Sequence, residues 1–156
     1  MIVNFFKSIL HNIGVVIVGF VFAFVGVGLD LLFKIQNFRS LVPIIVGCLL
    51  IIIGFALRVW ATFYFYERNM KVIVLIPQKS LITSGPYRFS RNPLYLGGNV
   101  FIFLGAVLCL GSPSGIFLTV INIIVVDIMI RREEKQLEHN FGEEWVRYKN
   151  QVRRWL

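Results

Sequence analysis

From Ile13 to Phe33 the chain carries no charged residue except Asp30, and from Leu41 to Tyr66 it carries only Arg58. Leu94 to Leu110 and Gly115 to Ile130 hold a single charge between them, Asp127. A helix that crosses the hydrocarbon of a bilayer needs about 20 apolar residues, with a lower limit near ~17. The first two runs exceed that length, and the last two lie at or just under it. "GSPSG", Gly111 to Gly115, separates the last two with strong turn chemistry, so they read as a tight helical hairpin. The pattern predicts four transmembrane helices. Read as a secretory signal peptide, the first run has too long an apolar core and no small-residue cleavage site after it. The expected fold class is an all-α integral membrane protein with a cytoplasmic central loop and an amphipathic C-terminal helical tail. One domain spans 1–156, with the first two helices in 1–66 and the hairpin, loop and tail in 67–156.

The polar positions collect in the central loop and the tail. The loop opens near Glu67, and "KVIVLIP" (Lys71 to Pro77) is a β-branched run expected to be extended or to lie in the interface. "SGPYRFSRNPLYLGG", Ser84 to Gly98, turns at Gly85-Pro86 and then starts a helix. Asn92 is a good N-cap, and Pro93 fits the first helical position, where a missing N–H costs nothing. A helix N-terminus there is a ready site for a carboxylate or phosphate. Gly97 and Gly98 allow a ligand or another helix to approach closely. The same residues also read as a capped transmembrane helix and nothing more. In "RREEKQLEHNFGEEWVRYKNQVRRWL", Leu137, Phe141, Trp145, Tyr148, Val152 and Trp155 recur every three or four residues and share one helical face. Gly142 is expected to divide the tail into two helices. An aromatic face opposite many arginines places the tail in the membrane interface. Glu133 and Glu134 either form weak surface ion pairs, or one of them turns inward to accept hydrogen bonds from a ligand.

Charge settles the expected orientation. The N-terminal, central and C-terminal polar segments hold nearly all the lysines and arginines, while Lys34 and Arg39 alone fall on the other side. The positive-inside rule then places both termini and the loop in the cytoplasm. The chain is 57% hydrophobic, against about 45–50% for a soluble domain, which calls for a bilayer as solvent. Its net charge of +8 suits anionic headgroups. No nucleic acid partner is expected, because the charge is tied to membrane edges. Cys48 and Cys109 fall within apolar runs as packing residues, and no disulfide is expected. Arg58 either snorkels to the headgroups or faces a polar cavity. Asp127 either pairs with Arg131 one turn on or faces such a cavity. His11 and His139 stand alone, and no metal site, phosphate-binding loop or nucleophile with a nearby base is visible.

"LITSGPYRFSRNPLYLGG", followed by the glutamate-rich tail, resembles the isoprenylcysteine carboxyl methyltransferase and phospholipid methyltransferase superfamily of integral membrane enzymes. The shared blocks are S-G-P-Y, R-[HN]-P-x-Y and E-E-x-x-L-x-x-x-F-G, in that order. The resemblance covers Glu67 to Leu156, and the first two helices match only in being hydrophobic. It implies an S-adenosylmethionine-dependent methyltransferase, with 67–156 as the cofactor-binding half and the active site on the cytoplasmic side. By the same resemblance Lys79, Ser80, Leu81, Ile82 and Tyr87 wrap the cofactor. Asn92, Pro93, Leu94 and Tyr95 contact it, and Glu133 supplies the acid of the last block. The implied methyl acceptor is lipidic or otherwise apolar and enters between helices. The family's substrate-carboxylate arginine falls at Met129, so a prenylcysteine carboxylate is not expected unless Arg131 or Arg132 takes its place. Two other readings remain: a phospholipid amine N-methyltransferase, and a non-catalytic membrane scaffold or interaction protein.

Overall fold

The computed structural model describes residues 2–70, 72 and 80–156. Apart from Val72, the "KVIVLIP" segment lies outside the described residues, as does Lys79. Helix α1 spans Ile2–Leu32, α2 Leu41–Glu67, α3 Pro93–Leu110, α4 Pro113–Phe141 and α5 Glu143–Gln151. A 3-10 turn at Gly85–Arg88 precedes α3, and no strand occurs among the described residues. Helices α1 to α4 are each long and apolar enough to cross a membrane, as the sequence pattern predicts. Helix α1 packs against α2, α3 and α4, and α3 packs against the other three in turn.

Two helices overrun their apolar runs. Helix α4 continues to Phe141, well past Ile130. Helix α1 begins at Ile2 rather than Ile13, because its polar residues find partners inside the bundle. Ser8 donates to the Val59 carbonyl at 2.8 Å and pairs with the Thr62 hydroxyl. Asn12 donates to the Ser8 carbonyl at 2.8 Å and to the Thr62 hydroxyl at 2.9 Å. A membrane interior tolerates such groups when each is satisfied.

The α2–α3 seam is built on glycine. A Cβ on Gly47 would lie 2.6 Å from the Gly105 carbonyl oxygen, and one on Gly97 would lie 2.7 Å from that of Gly54. Side-chain-free positions let the two backbones touch. The glycines stand seven residues apart on α2 (Gly47, Gly54) and eight apart on α3 (Gly97, Gly105). Helix α3 absorbs the extra residue by opening into a π-helix over Leu96–Ile102, a feature absent from the sequence expectation.

The far end of the bundle is tied by Asp30. Fully buried, its carboxylate accepts from the Ser112 hydroxyl and, at 2.9 Å, from the Ser114 amide. Ser112 in turn caps α4 by accepting from the Gly115 amide at 2.9 Å. Gly111 takes the left-handed conformation (φ 66°) that closes the hairpin, and its carbonyl accepts from the Phe38 amide at 3.0 Å. Asp30→Ala leaves the buried Ser112 hydroxyl without this acceptor, a loss of about 1–3 kcal/mol, and also frees the part-buried Ser114 amide. It should therefore lower the unfolding midpoint in detergent markedly, and Asp30→Asn should recover part of the loss. A parental midpoint for Asp30→Ala would show that this cap contributes nothing.

Candidate functional site

The apolar face of the tail turns back onto the central loop. The turn is made at Gly142 (φ 48°), which sits between α4 and α5 as expected. Tyr148 on α5 donates to the Tyr87 carbonyl at 2.7 Å. Beyond α5, the Arg153 carbonyl accepts from the Arg91 amide at 2.9 Å, and that of Arg154 accepts from Ser90 and Asn92 side chains at 3.3 and 3.2 Å. From the other side, Arg68 at the end of α2 donates to the Leu81 carbonyl at 2.9 Å and holds the loop down.

A cavity of about 80 Å³ lies between these parts. Ser80, Leu81, Ile82, Tyr87, Asn92, Pro93, Leu94, Tyr95 and Glu133 all line it. These are the residues named from the family resemblance, apart from Lys79. The wall also contains Arg91, which sequence reasoning missed, Trp145, read there only as part of the tail's apolar face, and Glu134, left open beside Glu133 as the acid that turns inward. Four buried polar atoms here have no hydrogen-bond partner among the described residues: Tyr87 Oη, Arg91 Nε and Nη1, and Trp145 Nε1. Buried donors are nearly always satisfied, so four around one cavity point to a ligand that brings acceptors. Burial, then the neighbouring Tyr148 hydroxyl, pushes the Tyr87 phenol well above its ordinary pKa and keeps it a neutral donor. The Arg91 guanidinium stands 5.7 Å from the Trp145 ring centroid, a cation–π distance.

A second cavity of about 440 Å³ adjoins the first and shares Phe65, Leu94, Tyr95 and Glu133 with it. The Tyr95 hydroxyl donates to Glu133 Oε2 at 3.1 Å on this common boundary. The rest of the wall is mostly apolar (Val15, Val18 and Phe103), with His11, Arg58 and Asn99 as its polar members. Gly14 also lines it, and a Cβ there would meet nothing within 4 Å. Arg58 does not snorkel. It is 8% exposed, with Nε donating to Asn12 Oδ1 at 2.7 Å and Nη1 to the Leu94 carbonyl at 2.5 Å. Among the described residues no carboxylate lies within ion-pair distance of it.

One further expectation is corrected, and one alternative is decided. Asn92 makes no capping bond; its amide reaches the Arg154 carbonyl instead, because the returning tail occupies the space beside it. Glu134 is no solvated surface group. It bonds Arg154 at 2.7 Å and Arg91 at 3.4 Å, and its side chain is 9% exposed. The bond to Glu134 raises the pKa of Arg154 above its usual value, against the opposing effect of burial. Asp127 pairs with Arg131 at 2.8 Å as expected and also meets Arg154 at 3.5 Å. Met129 carries no charge, and neither Arg131 nor Arg132 lines either cavity. The cysteines are free, with sulfurs 3.9 Å apart across the α2–α3 seam.

A family model described as phospholipid methyltransferase matches residues 42–144. The protein-S-isoprenylcysteine O-methyltransferase of Saccharomyces cerevisiae is 36% identical over 115 residues, covering 69% of this chain and 46% of the yeast protein. The chain therefore spans about half the length of that relative. An uncharacterized protein of Haemophilus influenzae is 43% identical over 58 residues, which are 36% of this chain and 92% of that protein. No solved structure matches.

The ion pairs of the tail differ in burial, and their removal should differ accordingly. Breaking a buried pair costs roughly 3–5 kcal/mol, and an exposed pair about 0–1. Glu134→Gln falls below the upper figure because the Arg154 side chain is 24% exposed. It should still free the tail, seen as rapid tryptic cleavage at Arg147 and Lys149. Glu138→Gln, which removes a half-exposed pair with Lys149, should leave cleavage at Arg147 slow. Equal protection in both variants would mean that Glu134 does not fasten the tail.

Proposed function

The chain belongs to the phospholipid methyltransferase family, and so to the membrane methyltransferases; we propose that it moves a methyl group from S-adenosylmethionine to an amphiphilic acceptor across the boundary between its two cavities. The observation that carries this reading is the ring of partnerless donors in the first cavity. The donor molecule offers a carboxylate, ribose hydroxyls and a purine, which need such donors and aromatic faces. Arg91 would receive the carboxylate as a two-pronged fork. Tyr87 and Trp145 would hydrogen-bond the remaining acceptors, and Glu133 would take a ribose hydroxyl or the ammonium group. A sulfonium methyl is an activated electrophile, and its chemistry needs alignment and the exclusion of water more than acid or base at the donor. The folded tail supports the second of these by covering the cavity.

The second cavity suits the acceptor. Its valines and Phe103 fit a chain, and Gly14 leaves its α1 wall open. Arg58, a buried cation with no carboxylate partner among the described residues, would stabilise negative charge developing on the acceptor near the boundary. The nearby Tyr95–Glu133 bond would hold Glu133 in place for the donor. The scaffold reading has no use for partnerless donors.

Calorimetry with S-adenosylhomocysteine in detergent tests the donor site. Parental protein should bind, and Glu133→Gln should weaken binding about ten- to a hundredfold, the equivalent of a lost charged hydrogen bond of about 1.5–3 kcal/mol. Gly14→Phe should leave binding intact while blocking transfer of radiolabelled methyl to a total membrane lipid extract. Absence of binding by the parent would favour the scaffold, and full transfer by Gly14→Phe would remove the second cavity from the acceptor path.

We also propose that both termini and both cavities face the cytoplasm, on the strength of the one-sided lysines and arginines. Single cysteines at Ser84 and Gln151, in a background lacking Cys48 and Cys109, should label from the cytoplasmic side and one at Gln36 from the other. Labelling of Ser84 from outside would reverse the orientation.

A further inference from the structure

The second cavity contains one titratable group without a task in the reading above. His11 comes from α1, and the whole of α1 lies outside the residues 42–144 that match the family. The α1 wall of His11, Gly14, Val15 and Val18 is therefore an addition to the family-matched part of the site. The imidazole is seated by packing, edge-on to Tyr66 with ring centroids 6.5 Å apart. The other titratable or charged groups around it are Arg58 and Tyr66 from α2, Tyr95 from α3 and Glu133 from α4. Arg58 is engaged with Asn12 and the Leu94 carbonyl, and Tyr95 with Glu133. An arginine has no lone pair to offer, and a tyrosine hydroxyl is a weak base. Glu133 is shared with the first cavity and already accepts from Tyr95. Histidine is the side chain that accepts and releases protons near neutral pH, and this one lines the acceptor side alone.

We propose that His11 is the proton acceptor of the transfer, and that the methyl acceptor is accordingly an amphiphile whose nucleophile carries a proton: a thiol or a neutral amine at the end of an apolar chain. This rests on the reading of the two cavities as donor and acceptor sites. With a thiol, the S–H bond breaks, its proton passes to a ring nitrogen of His11, and the electron pair left behind forms the new bond to the methyl carbon. With a neutral amine, the nitrogen lone pair forms that bond, and an N–H bond of the resulting ammonium then breaks, its proton passing to His11. The bond from that carbon to the sulfonium breaks, its pair stays on sulfur, and a neutral thioether leaves. The imidazolium then returns its proton to water. A carboxylate, ionised well below neutral pH, would need no such group.

Decanethiol, decylamine and decanoate serve as probes, with radiolabelled S-adenosylmethionine and the protein in lipid nanodiscs. The parent should methylate the thiol or the amine, with a rate that falls at acid pH as the imidazole takes up a proton. His11→Phe keeps an aromatic ring against Tyr66 but no base; it should lose about a hundredfold or more of this transfer, the usual worth of a general base. The acidic limb should vanish with it. Added imidazole should restore part of the transfer in His11→Ala, which a merely structural histidine would not allow. S-adenosylhomocysteine should bind parent and variants alike. As a readout independent of turnover, the His11 ring resonances should shift when decanethiol is added without donor, while those of His139 stay fixed. Near-parental transfer by His11→Phe with the acidic limb retained would overturn the proposal. So would methylation confined to decanoate, or no transfer to any probe by a parent that still binds S-adenosylhomocysteine. Failure of the parent to bind S-adenosylhomocysteine would instead remove the underlying two-cavity reading, and this proposal with it.

Discussion

A guanidinium held inside a bundle of apolar helices constrains everything around it. Arg58 is 8% exposed, and a cation so placed must have its donors occupied or be expelled toward water. Its two bonds run to different helices, to Asn12 on α1 and to the Leu94 carbonyl on α3. Asn12 is fixed in turn by Ser8 and Thr62. The Leu94 carbonyl is within reach because Gly97 and Gly98 lack side chains: a Cβ on either would press into the arginine at 2.8 and 2.7 Å. Three helices are thus registered on one charge. Tyr95, the residue after Leu94, stands where its hydroxyl meets Glu133, so the boundary between the cavities inherits its position from that charge.

The tail is organised by the opposite sign. Glu134 gathers Arg91 and Arg154, and Asp127 gathers Arg131 and Arg154. These groups sit at the end of the bundle where α4 leaves its apolar run, and their pairing draws the last residues across the loop. Trp145 and Tyr148 then bury against the 3-10 turn. The described loop residues from Ser80 onward are held by Arg68 at the end of α2 on one side and by the tail on the other.

The membrane helices were legible because length and apolarity suffice to identify a span. The polar start of α1 was not, since Ser8 and Asn12 look like residues outside a membrane until Thr62 and Arg58 are brought beside them. The same blindness affects the site. Eight residues of the loop and α3, with Glu133 of α4, could be named from a family pattern, and the structure brings these nine onto one cavity. Arg91 escaped, and neither Trp145 nor Glu134 could be assigned to the cavity, because their importance comes from tertiary approach. The face containing Trp145 and Tyr148 was correctly identified as apolar; what it covers depends on the turn at Gly142. Asn92 has the residue type of a cap, yet its side-chain N–H is drawn to the Arg154 carbonyl and its oxygen caps no helix amide.

The π segment of α3 has a consequence for changes of length rather than identity. Seven residues separate Gly47 from Gly54, and eight separate Gly97 from Gly105, so α3 holds one residue more than an ordinary helix would need to meet the same two points. Deleting any one residue within Leu96–Ile102 would let the helix relax to regular pitch without disturbing its apolarity. Because that segment is where the surplus residue is absorbed, the regular helix would still bring both of its ends to the same two points on α2, with Leu94 beside Arg58 and Tyr95 beside Glu133. A deletion between Phe103 and Leu110 has no such slack. It would turn everything before it by about 100°, the rotation of one residue in an α-helix, and leave a chain that still counts four spans with its two cavities out of register.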